Sequence, residues 1–134
     1  MDLSHVIADE YREQAIGQLV AAPLTALRGV TPEAAERLRE AFKIDTVGAL
    51  GRNILFRFAE AMAVMGSVKN DAVHPDWGEE PLRDVLDRPP TVVKYVTPEQ
   101  ASALESSLGI TTLREMGTNP IFLRAQALLV LAAE

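Results

Sequence analysis

The sequence predicts an all-α fold made of two copies of one helical unit. Three observations carry that reading: the chain matches itself without a gap at an offset of 66 residues, helix-capping residues recur at that offset, and apolar residues recur at helical spacing between the caps. Val30-Thr31-Pro32-Glu33 returns as Val96-Thr97-Pro98-Glu99, and Ile16–Val64 aligns with Leu82–Val130 with 16 of 49 positions identical. Average residue usage gives about three or four identities over that length, so the match is not compositional. The expected organisation is an N-terminal helix over 1–15, a first repeat over 16–64, an acidic connector over 65–81 and a second repeat over 82–134, with the two repeats packed pseudo-symmetrically into one compact helical domain.

The N-terminal segment places Leu3, Val6, Ile7 and Tyr11 on one side of a helix, which suits it to cover one end of the repeat pair or to pair with a second copy. In each repeat Thr31 and Thr97 are suited to N-cap a helix with proline at its first position (Pro32, Pro98), where no N–H is needed and φ is already set. Glu33 and Glu99 follow in the first turn, favourable to the helix dipole, and Gln100 completes a capping box that Ala34 cannot make. Leu38 with Phe42, and Leu104 with Leu108, give the apolar face. The helix stops at Gly109 in the second repeat; Lys43 stands there in the first and must take a positive φ or close the helix differently. Thr46 and Thr112 then cap one short turn, which Gly51 and Gly117 are expected to stop. Asn53 and Asn119 are N-cap candidates for the last helix of each repeat, whose apolar spacing runs through Leu55, Phe56, Ala59 and Met62 and through Ile121, Phe122, Ala125 and Leu128. Thr91-Val92-Val93 is β-branched, but its counterpart Thr25-Ala26-Leu27 favours helix, and a repeat should give both one conformation.

Leu27-Arg28-Gly29-Val30-Thr31-Pro32-Glu33-Ala34-Ala35, continued by Ile44-Asp45-Thr46-Val47-Gly48-Ala49-Leu50, resembles the helix-hairpin-helix unit. Gly29, Val30, Pro32, Ala35, Ile44, Thr46, Val47 and Leu50 fit that family's pattern; the second repeat keeps Val96, Pro98, Ala101, Ile110, Thr112 and Leu113. Tyr95 replaces the first hairpin glycine there, and Thr31 and Thr97 replace the second in both copies. The resemblance spans about 98 of the 134 residues. It implies paired helices joined by a tight turn and, as in the family's DNA-binding members, turn amides against a phosphate with Arg28 and Lys94 beside them. Glu33 and Glu99 stand where that phosphate would approach, so solvated cations balancing these carboxylates are the expected state of Arg28 and Lys94.

Thirteen basic against nineteen acidic residues leave a net charge of −6, which counts against general affinity for nucleic acid or an anionic membrane. The absence of cysteine excludes disulfides and thiol chemistry and fits a cytoplasmic protein. The longest apolar run, Ala127–Ala133, is far below the ~20 residues of a membrane-spanning helix. Only His5 and His74 could supply imidazole, and no phosphate loop or nucleophile elbow occurs, so neither catalytic residue, metal site nor cofactor is expected. Six carboxylates between Asp71 and Asp87 face one Arg83, and Trp77 lies among them beside Asp76, Glu79 and Glu80. Trp77 is either an anchor for the connector or, with those three acids, a contact for a partner. The expected function is a non-enzymatic protein–protein interaction or adaptor module, binding another protein or itself. Nucleic-acid binding through Arg28 and Lys94 is the alternative. A second alternative is an apolar small molecule held where Ala59, Ala61, Ala125 and Ala127 leave room between the final helices.

Overall fold

The computed structural model describes residues 2–67 and 82–133. Its elements are α1 (Ile16–Val20), α2 (Pro32–Phe42), α3 (Val47–Arg52), α4 (Ile54–Ser67), α5 (Leu82–Val85), α6 (Pro98–Leu108), α7 (Leu113–Thr118) and α8 (Pro120–Ala132), with short 3-10 turns at Asp9–Tyr11, Leu24–Ala26 and Pro90–Val92. No β-strand occurs among the described residues; there are isolated antiparallel bridges at Ile7 with Leu27 and Pro23 with Thr46. The fold is all-α, and each of α5 to α8 begins 66 residues after its counterpart among α1 to α4.

The caps act as the sequence requires. The Thr31 and Thr97 hydroxyls accept from the amides of Ala34 and Gln100, each at 3.1 Å, and the Gln100 side chain closes the box by accepting from the Thr97 amide. Thr46 and Thr112 likewise accept from Ala49 and Glu115. The Glu115 carboxylate also accepts from Thr111 and Thr112, and the Thr111 hydroxyl, its strongest partner, holds this carboxyl below the ordinary glutamate range. Both longer cap helices end left-handed, at Gly109 (φ 68°) and at Lys43 (φ 60°). A β-carbon crowds the carbonyl in that region, at a cost of ~1–2 kcal/mol that glycine does not incur. Lys43→Gly should therefore raise stability by about 1 kcal/mol, read as a melting temperature higher by a few degrees.

The N-terminal segment is not a helix. Residues 2–15 contain bends and one 3-10 turn, because the backbone at Val6–Ala8 is paired elsewhere: the Ala8 amide donates to Ala26 at 2.8 Å, and the Arg28 amide donates to Val6 at 2.8 Å. An isolated helix of this length would be marginal, whereas the paired segment buries Ile7 completely.

Two compact units make up the chain, and they do not coincide with the sequence repeats. One contains Met1–Asn53 and Pro120–Glu134; the other is Ile54–Asn119. The last helix of each repeat thus completes the unit built by the other repeat. In the first unit α8 packs on α3, with α1 beside it; in the second α4 packs on α7, with α5 beside it. The cause is local. One residue, Asn53 or Asn119, separates the short helix from the last, and both are extended at φ −60°. A helix that folds back on its predecessor needs a loop of about 2–5 residues.

Gly51 and Gly117 follow from this packing and not from helix termination, since both lie inside their short helices and are buried. A β-carbon on Gly51 would fall 2.6 Å from Leu129 Cδ1 and 2.9 Å from the Ala125 carbonyl oxygen; on Gly117 it would fall 2.3 Å from the Ala59 carbonyl oxygen. The first unit's core holds Leu19, Leu24, Leu38, Ile44, Leu50 and Phe122, and the second repeats it with Val85, Leu104, Ile110, Met116 and Phe56, all at most 2% exposed.

Candidate functional site: the paired turns

Each unit carries a four-residue turn leading into its capped helix. In the first, the Val30 amide donates to Leu27 at 3.2 Å across Arg28-Gly29; in the second, Val96 donates to Val93 at 3.0 Å across Lys94-Tyr95. Gly29 has φ 99°, the conformation that the third position of a type II turn reserves for glycine. Tyr95 does not share it, so the second turn takes another form past Lys94, and its ring stands 71% exposed. The residues before the turns do agree: Leu27 has φ −82° and ψ 127°, Val93 φ −77° and ψ 125°.

Arg28 is not the free cation that phosphate contact would need. Its Nε donates to the Ser4 carbonyl at 2.8 Å, and Nη2 donates to the Ile7 carbonyl at 3.1 Å and to the Asp9 carboxylate at 2.7 Å. Nor does it balance Glu33, as expected from the sequence. It clamps the N-terminal segment onto the turn, a role that sequence reasoning missed because its acceptors are backbone carbonyls some twenty residues away. Lys94 keeps its charge exposed, with Nζ 5.8 Å from the centre of the Tyr95 ring.

The Arg28 hydrogen bond, and after it the Arg28 charge, hold the Asp9 carboxyl below its ordinary pKa. A lowered folded pKa stabilises the attachment above the carboxylate range, and this contribution disappears as pH falls through the lowered value. Acidification from pH 6 to about 2 should therefore loosen the arm, as Arg28→Ala should at every pH. Amide exchange at Ala8 and Arg28 is the readout. Unchanged protection in both cases would show that the backbone pairs alone hold the arm.

No family model, no curated protein and no solved structure matches this chain. Its function has to be argued from its own geometry.

Among the described residues no cluster of three or more His, Cys, Asp or Glu side chains could hold a metal ion, and no helix is long and apolar enough to cross a membrane. The alanines of the two final helices are otherwise engaged: Ala59 and Ala125 are the backbone contacts of Gly117 and Gly51, while Ala61 and Ala127 are exposed. A groove of about 610 Å³ lies between the N-terminal segment and α1, but it is open, and Asp2, Ser4, Arg12, Glu13 and Gln14 line it together with Leu3 and Ile7. Trp77, Asp76, Glu79 and Glu80 lie outside the described residues.

Proposed function

We propose that this chain is a non-enzymatic protein-recognition module built on two helix-hairpin-helix-like repeats. The observation that supports this reading most is the engagement of the first turn. Its edge already holds a piece of polypeptide, the chain's own Val6–Ala8, in a single antiparallel bridge of two backbone hydrogen bonds, and the cation beside it is committed to carbonyls and a carboxylate. A turn used in this way recognises polypeptide; a phosphate would have to displace Asp9 from Arg28. The acidic balance of −6 adds to the argument, since a nucleic-acid footprint needs a cationic surface.

The test is affinity capture from native lysate with and without nuclease. Protein partners retained after nuclease treatment are expected, together with affinity for random duplex weaker than the ~10⁻⁴–10⁻⁶ M of non-specific DNA binders at physiological salt. Capture that nuclease abolishes, or tight and steeply salt-dependent duplex binding, would overturn the reading. Trp77→Ala, outside the repeats, serves as the second variant: weaker capture with an unchanged melting temperature marks Trp77 as a contact, and a collapsed fold marks it as an anchor.

A further inference from the structure

Each unit's turn presents a similar edge, and among the described residues only the first has an occupant. In the first unit Val6–Ala8 runs antiparallel to Ala26–Arg28, with the Ala8 amide bound to Ala26 O and the Arg28 amide bound to Val6 O. The corresponding groups of the second unit are Val92 O and the Lys94 amide, 66 residues on. Neither has a hydrogen-bond partner among the described residues. Exposure follows the same division: Ala26 is buried and Thr25 half-buried, whereas Val92 is half-buried and Thr91 exposed. The backbone is nonetheless set alike, because the ψ of Leu27 and of Val93 differ by only two degrees (127° and 125°), and ψ at that residue aims the next amide.

Resting on the protein-recognition reading above, we propose that the Val92–Lys94 edge binds an extended segment of a partner protein, with an aliphatic residue opposite Val93 and a carboxylate two residues later that pairs with Lys94. The first unit defines this chemistry. Ile7 lies opposite Leu27, buried to 1% exposure, and Asp9 follows two residues later to meet Arg28. Lys94 retains the positive charge at the Arg28 position, as a point charge suited to one carboxylate oxygen where arginine serves several acceptors. Backbone pairing supplies register, and the alternate side chains supply selectivity, as in strand addition to a sheet edge. Tyr95, exposed at the end of this edge, stands where a bound segment would pass.

The probe is a synthetic peptide with this chain's own residues 3–11, titrated into the full-length protein and followed by amide chemical shifts. Saturable shifts at Val92, Val93 and Lys94 are expected. Lys94→Glu should weaken binding by about fivefold, and Asp9→Asn in the peptide by about two- to fivefold, both effects fading in high salt. N-methylation of the peptide's Ala8 amide should abolish binding, because it removes the donor to Val92 O. Lys94 is exposed, so circular dichroism should find the variant folded; Lys94→Gln, with a smaller loss, serves if it is not. Absence of shifts at Val92–Lys94, shifts confined to Ala26–Arg28, or indifference to N-methylation would each overturn the proposal. Nuclease-resistant capture of protein partners alongside such a failure would sink this site and leave the recognition reading standing; nuclease-sensitive capture would sink the reading itself.

Discussion

Phe122→Ala should destabilise the protein by about 3–5 kcal/mol, a large part of the ~5–15 kcal/mol available to a domain. Phe122 is fully buried on α8, which belongs to the first unit and packs on α3 there. Truncation leaves a ring-sized void between helices that can close up only partly, so the lost transfer energy and the cavity add. The location of the damage is the stronger test. Phe122 belongs by sequence to the second repeat and by packing to the first unit, so amide exchange should accelerate in 16–53 before it does in 82–119. Phe56→Ala on α4 should show the converse order. Loss of protection within the repeat that carries each mutation would contradict the exchange of final helices.

The second large effect is expected at Gly117. A β-carbon there would stand 2.3 Å from the Ala59 carbonyl oxygen and 2.5 Å from its carbon, and neither is the end of a flexible side chain. Relief requires α4 to move away from α7, taking Phe56 with it. Gly117→Ala should cost about 2–3 kcal/mol, at the upper end for overpacking by one carbon. Gly51→Ala should cost less, because its closest contact is the tip of Leu129, which can rotate aside before the Ala125 carbonyl at 2.9 Å is met. Thermal unfolding of the pair measures the difference, and equal or smaller losses for Gly117→Ala would show that α4 has room the distances deny.

Local grammar made most of the helices legible from the sequence. Threonine before proline and glycine after an apolar face act within one or two turns, and such signals read the same wherever the helix later docks. The exchange of α4 and α8 leaves no local signal for that reason: both helices carry the same apolar spacing, and a repeat at fixed offset is blind to which copy closes which. The available signal was the length of the joint, one residue at Asn53 and at Asn119, too short for a helical hairpin. Gly51 and Gly117 looked like stops because glycine ends helices more often than it admits a neighbouring backbone. The neighbours of Arg28 are not legible in the sequence, since a guanidinium reaching backbone carbonyls of another segment leaves no trace in charge patterning.

The exchanged helices also bear on how the chain can be divided. A protease cut anywhere in 68–81 would yield one fragment with the body of the first unit and the closing helix of the second, and another with the reverse. Neither fragment owns a complete core, so the nicked protein should elute as a single species and come apart only under denaturant. By the same reasoning one repeat alone would have a final helix and no place to put it, except on a second copy of itself.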